Sequence, residues 1–146
     1  MIALLQRVLN ANVVVDGEEI ARIDQGLLVL VGVCKGDAEA QAQRLAERIL
    51  GYRVFEDEQG KMNLNLLDID GGLLLVPQFT LAADTRKGMR PSFSSAAPPE
   101  EGRHWFDRLF ALCEQQGITP ACGRFGADMQ VALTNQGPAT FWLEAN

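Results

Sequence analysis

The stretch Leu73-Leu74-Leu75-Val76-Pro77-Gln78-Phe79-Thr80-Leu81 runs on through Ala82-Ala83-Asp84-Thr85-Arg86-Lys87-Gly88-Met89-Arg90-Pro91-Ser92-Phe93. It begins as an apolar run of strand length and stops at Pro77. Proline has no N–H to give a sheet ladder, so the strand ends there or lies at an edge. Gln78 and Thr80 bring polar side chains to the end of a buried strand, with Phe79 and Leu81 alternating against them. A basic cluster, Arg86, Lys87 and Arg90, follows. Two readings stand side by side: a strand end with a solvated loop, or a site for an anionic ligand beside local positive charge.

Upstream, residues 2–9 and the β-branched run Val13-Val14-Val15 read as strands. Asp16-Gly17 is a hairpin signal, with Glu18 to Ile23 as the return strand. Leu27 to Val33 is a continuous apolar strand, buried on both faces. Asp37 is the expected N-cap of a first helix and Gly51 its left-handed C-terminal residue. Ala38, Ala42, Leu45, Ile49 and Tyr52 form one apolar stripe between them, so this helix covers a sheet. Short strands are expected at 53–55 and 62–66. The acidic turn Glu56-Asp57-Glu58-Gln59-Gly60 lacks the ligand spacing of a calcium loop and reads as solvated.

Downstream, Pro98-Pro99-Glu100-Glu101 starts a second helix, with acids complementing its N-terminal dipole, and Gly117 ends it. His104, the sole histidine, reads as a surface or half-buried residue on this helix. Residues 127–133 alternate as a strand, and Phe141-Trp142-Leu143 closes the chain. Between them, Thr134-Asn135-Gln136-Gly137-Pro138-Ala139-Thr140 reads as a turn. A Gly-Pro bond can also be held cis at little cost, which would point neighbouring carbonyl oxygens the same way, an acceptor pair for an ammonium group. About eight short strands and two helices give an α+β domain with a curved, largely antiparallel, barrel-like sheet, in one domain over residues 1–146.

Composition narrows the function. The net charge of −6 argues against coating long nucleic acid, DNA included, yet leaves room for gripping one end with a few cations. The longest apolar run is too short for a bilayer, and the N-terminal residues lack a secretory pattern, so a soluble cytoplasmic protein is expected. Cys34, Cys113 and Cys122 are too scattered for a metal site or a disulfide framework. With one histidine, no nucleophile elbow, no Gly-rich phosphate loop and no histidine–carboxylate set for zinc, the common constellations are missing. What remains is the Thr80 hydroxyl, the Gln78 amide and backbone groups near Phe79 and Gly137-Pro138. Such a site would orient its substrate and stabilise an oxyanion.

Several motifs together resemble the bacterial D-aminoacyl-tRNA deacylases: Gln78-Phe79-Thr80-Leu81-Ala82-Ala83-Asp84-Thr85, Gly88-Met89-Arg90-Pro91-Ser92-Phe93, Gly60-Lys61-Met62-Asn63-Leu64-Asn65, Phe125 to Val131, and Asn135-Gln136-Gly137-Pro138-Ala139-Thr140-Phe141. The resemblance runs in register from Met1 to the C-terminus. It implies a homodimer with each active site at the subunit interface. Gly137 and Pro138, joined by a cis bond, would enter the other subunit's site, contact the α-amino end and exclude L side chains. Gln78, Phe79 and Thr80 would surround the ester and terminal adenosine, the N–H groups of Phe79 and Thr80 holding the carbonyl oxygen. Phe125 and Met129 would flank the adenine, with Pro77 at the pocket edge. The resemblance further implies hydrolysis assisted by the terminal 2′-hydroxyl, with no cofactor, metal or protein nucleophile, and cleavage of glycine mischarged on alanine tRNA. The acceptor end would be held by cations such as Arg7, Lys61, Arg86, Lys87 and Arg90. Two departures bear on L-exclusion: Pro77 stands where the family usually has Ser, and Ala139 where it usually has Val. Phe79 and Asn135 side with the D-specific form. Competing readings are a hydrolase with Thr80 as nucleophile and a non-catalytic dimeric protein binding a small anion or nucleotide.

Overall fold

The computed structural model describes residues 1–146. The first strand, β1 (Ile2–Val15), is the axis of the sheet. Its N-terminal half pairs with β3 (Gly26–Gly32), its C-terminal half with β2 (Glu18–Ile23), and β8 (Gln130–Glu144) runs antiparallel along its other side. The Asp16-Gly17 hairpin forms as expected, with both residues at positive φ, 51° and 77°. The two segments expected as separate strands at 2–9 and 13–15 are one, because Asn10 and Asn12 pair with β8 instead of turning.

The centre of the sheet is not antiparallel. β6 (Gly72–Pro77) lies parallel to β3, and the short β7 (Ala121–Cys122) parallel to β6. The cause is the connections: α1 (Glu39–Gly51) lies between β3 and β6, and α2 (Pro99–Gln115) between β6 and β7. A helix crossover returns the chain to the end where it began, which makes parallel neighbours. The sheet is therefore mixed. A small separate hairpin joins β4 (Phe55–Glu56) to β5 (Met62–Leu64).

Side-chain alternation along the central strands explains the two cores. Leu5, Leu27, Val29, Leu73 and Leu75 point to the helix side and pack with Leu45, Ile49, Leu109 and Cys113. Val8, Val13, Leu28, Leu74 and Val76 point the other way, into a smaller core closed by Ile23 of β2. The 27–33 run is thus buried on both faces, as its continuous apolar character demands.

Cap details differ from expectation. The N-cap of α1 is Ala38, whose N–H donates to Gln41 Oε1 at 2.9 Å. Asp37 instead accepts from the Cys34 N–H at 2.7 Å and from the Met1 ammonium at 2.9 Å. Gly51 is the last helical residue, and the chain leaves through an extended Tyr52. The second helix starts at Pro99 with Glu100 and Glu101 in its first turn, and Gly117 follows it at φ +95°.

Candidate active site

Strands β3 and β6 end side by side, and beyond their C-terminal ends lies a cavity of about 530 Å³. Openings at the carboxyl ends of parallel strands are common ligand sites, and this volume suits a drug-sized ligand. Val31 and Val33 of β3 and its exit, with Val76 and Pro77 of β6, form the floor. Phe106 of α2, Phe125 and Met129 form one wall, Phe79 and Phe93 another. Three glycine positions shape it. A Cβ on Gly102 would lie 3.2 Å from the Phe125 ring, so glycine there lets that ring rest on α2. One on Gly123 would meet Met129 Sδ at 2.8 Å, and one on Gly32 would meet the Leu81 Cβ at 3.0 Å.

β6 ends at Pro77, as expected, and one further bond, from the Gln78 N–H to the Val31 carbonyl at 2.7 Å, closes it against β3. The chain then winds into a single 3₁₀ turn, Phe79–Ala82, where an alternating strand end was expected. The N–H groups of Phe79 and Thr80 head that turn and have no acceptor inside it. The Gln78 side-chain amide donates to the Thr80 hydroxyl oxygen. An amide is no base, so this contact leaves Thr80 without a group to take its proton. Gln78 and Phe79 line the cavity, whereas Thr80 sits exposed outside the lining. Phe79 is 58% exposed, and its ring lies 5.1 Å from that of Phe93. No cysteine reaches a thiolate role: burial pushes Cys113 up to about 12 and Cys122 to about 11, and raises Cys34 as well.

The other expected site residues lie elsewhere in the chain. Gly137 and Pro138 are exposed, joined by a cis peptide bond, and outside the lining of this cavity. The expected turn is a large bulge within β8: Thr140 pairs with Gln6 and Asn135 with Val8, so residues 136–139 stand opposite Arg7 alone. Arg7 pairs on its other side with Leu27, at the start of β3. The cavity begins at Val31, four residues on, roughly 13 Å along a strand at about 3.3 Å per residue.

Arg7 was expected as a surface cation for nucleic acid, and the structure corrects this. It is 6% exposed, donating from Nη1 to the Val54 carbonyl at 2.7 Å and from Nε to the Gln136 carbonyl at 3.2 Å. A long side chain beneath four looped-out residues supplies the donors that their backbone lacks. Asn135 completes the brace, donating to the carbonyls of Arg7 and Ala139, both at 2.9 Å. Lys61, Arg86, Lys87 and Arg90 are exposed. Arg86 is tied to Asp84 at 2.7 Å, and its guanidinium holds the Asp84 carboxyl down at about 2. The same loop is closed by Asp84–Ser92 backbone bonds of 2.7 and 3.0 Å.

The model of the family described as D-Tyr-tRNA(Tyr) deacylase matches residues 4–144. The chain belongs to that family. It is 62% identical over 145 residues to the D-aminoacyl-tRNA deacylase of Alkalilimnicola ehrlichii, covering 99% of this chain and 97% of the relative. To that of Thioalkalivibrio sulfidiphilus it is 64% identical over 144 residues, covering 99% and 97%. Among solved structures, one titled "c-Myc DNA Unwinding Element Binding Protein" superposes with a TM-score of 0.96 at 36% identity, covering 100% of this chain and 99% of that one. Another, titled a probable eukaryotic D-amino acid tRNA deacylase, shares the fold with a TM-score of 0.83 at 16% identity, covering 98% of each. Family and α+β fold are those that the sequence motifs imply. Within the deacylase fold, sequence reasoning missed Val31, Val33, Phe93 and Phe106 as cavity walls. Phe106 lies on the buried apolar face of α2, and apolar helical spacing alone does not separate core from cavity wall.

Proposed function

We propose that this deacylase-family chain hydrolyses the ester between a D-amino acid and the terminal adenosine of tRNA, releasing both. The supporting observation is the pair of N–H groups at Phe79 and Thr80, heading a turn at the mouth of an apolar cavity. Donors fixed there stabilise the oxyanion that develops when the ester carbonyl is attacked. Phe125 and Met129 hold the adenine, and Pro77 and Gln78 border the ester. With no base beside Thr80, the 2′-hydroxyl of the terminal ribose assists the attack of water. Lys61, Lys87 and Arg90, with Arg86 partly neutralised, draw in the acceptor end of the tRNA in the cytoplasm.

The working unit in this reading is a homodimer. The separation of the Gly137–Pro138 bulge from its own cavity along β3 supports a reading in which a second copy brings it there. Its carbonyl oxygens accept from the substrate ammonium, and its backbone blocks an L side chain. Glycine has no side chain to block, so glycine mischarged on alanine tRNA is also cleaved. A DNA-binding role, which one structural neighbour's title gives that protein, is poorly matched by a net charge of −6.

Deacylation of D-Tyr-tRNA and L-Tyr-tRNA, with and without chelator, tests this. The D ester is expected to be lost at least about 100-fold faster, equivalent to about 2.7 kcal/mol of discrimination, insensitive to chelator. Equal loss of both esters would remove the proposed wall, and loss of neither would leave a binding protein. Thr80→Ala is expected to retain activity within about ten-fold. A nucleophile's removal would instead cost on the order of a million-fold, with a trappable acyl-enzyme in the parent.

A further inference from the structure

A second cleft of about 350 Å³ opens behind the Phe125 wall, lined by Ile20, Arg103, Asp107, Cys122 and Arg124 and sharing Phe106 and Phe125 with the main cavity. Arg103 extends over the Phe125 ring, its guanidinium carbon 5.9 Å from the ring centre. Arg22, Arg44, Arg86 and Arg108 each have a carboxylate within 3.8 Å, whereas Arg48, Arg53, Arg90, Arg103 and Arg124 have no ion-pair partner in a chain of net charge −6. Of these five, Arg103 and Arg124 line this cleft together. Asp107 is the one carboxylate lining the cleft, against two guanidinium groups. Two guanidinium groups lining one cleft beside an aromatic ring suit an anion with several oxygens, because a guanidinium pairs with phosphate through two parallel hydrogen bonds.

We infer that the Arg103–Arg124 cleft binds the phosphodiester on the 5′ side of the substrate's terminal adenosine. The inference rests on the proposed function, which places the adenine against Phe125. A strand whose last base lies on one side of that ring must carry its next phosphate past the ring's edge, and the cleft receives it there. The cleft thereby gives the enzyme a grip on a polynucleotide end that an isolated aminoacyl-adenosine cannot offer. It also supplies the local positive charge that the chain as a whole lacks.

The test compares D-Tyr-tRNA with 3′-O-D-tyrosyl-adenosine, which has no 5′ phosphate, in the unmodified protein, in Arg124→Gln and in Arg103→Gln/Arg124→Gln. Arg124→Gln leaves the Arg103–Phe125 contact untouched, so it separates charge from wall packing. The ratio of kcat/KM for tRNA over that for the adenosine ester is expected to fall about ten-fold in the double variant and several-fold in Arg124→Gln, the loss expected for a charge-assisted contact. The slope of log kcat/KM for tRNA against log salt is expected to flatten by roughly 0.7 per phosphate contact removed. An unchanged ratio in both variants overturns the inference and leaves the deacylase reading standing. Proportionate loss on both substrates also overturns it, making the arginines supports for Phe125 alone. Should the unmodified protein cleave neither substrate, the proposed function fails and the inference with it.

Discussion

Gly26→Ala is expected to be the most destabilising single-methyl change in this chain. Gly26 faces Gly72 across the first rung of the parallel β3–β6 ladder. A Cβ at Gly26 would sit 1.9 Å from the Gly72 carbonyl oxygen and 2.6 Å from its nitrogen. No side-chain rotation relieves that clash, because both atoms belong to the backbone. The strands must separate by more than an ångström, and the bond from the Gly72 N–H to the Gln25 carbonyl, 2.9 Å long, is lost with the rung. Both strands are fully buried beyond this point, at Leu27, Leu28, Leu73 and Leu74. We therefore expect a cost of at least about 3 kcal/mol, from overpacking together with lost pairing. That corresponds to a fall in Tm of roughly 10 °C for a chain of this size. Gly17→Ala is the control: nothing lies within 4 Å of its added Cβ, and only its φ of +77° opposes the change. Its cost should be about 1–2 kcal/mol. Thermal unfolding of the two variants side by side decides the matter, and a Gly26→Ala protein melting within 2 °C of its parent, a shift of under about 1 kcal/mol, would refute the clash.

Gly26 and Gly72 also mark where sequence reading reached its limit. The apolar runs 27–33 and 73–76 announced two buried strands, and both are buried. That they lie parallel follows from α1 and α2 crossing between strands, a three-dimensional fact that local alternation cannot carry. The Asp16-Gly17 hairpin was legible because its chemistry is local. The span 134–140 was not, since Asn-Gln-Gly-Pro reads as a turn wherever it occurs. Only the pairing of β8 with β1 on both sides of it turns it into a bulge. Gln78, Phe79, Phe125 and Met129 line one cavity, a convergence of residues far apart in the chain that no local pattern carries. Arg7 was misplaced for a related reason: a single arginine next to Gln6 in a strand looks like a solvated cation. It is buried because the bulge of the adjacent β8 and the loop before β4 present the Gln136 and Val54 carbonyls at its level, and no pattern in residues 2–9 signals that.

Arg7→Ala is accordingly expected to act at a distance on the site. Removing the side chain strands the Val54 carbonyl, and frees that of Gln136 in the bulge. Each unsatisfied buried acceptor costs about 1–3 kcal/mol, so a loss near 3 kcal/mol of stability is expected. Gly137 feels it directly, because its Cα lies so close to Arg7 Nη2 that a Cβ would come within 2.9 Å. An unbraced bulge displaced by about an ångström is expected to cut kcat/KM for D-aminoacyl-tRNA by on the order of 100-fold, at temperatures where the variant remains folded. If the bulge serves the other subunit's cavity, as proposed, this lesion can be complemented. Phe125→Asp places a carboxylate in the cavity wall and should inactivate its own cavity while leaving its bulge intact. A heterodimer of Arg7→Ala and Phe125→Asp then holds one site carrying both lesions and one carrying neither. Co-refolding equal amounts of the two chains gives heterodimers as half of the population, and so recovers about a quarter of the parent's activity. Were bulge and cavity to act within one chain, every site in the mixture would carry a lesion and the activity would stay at the level of the separate variants.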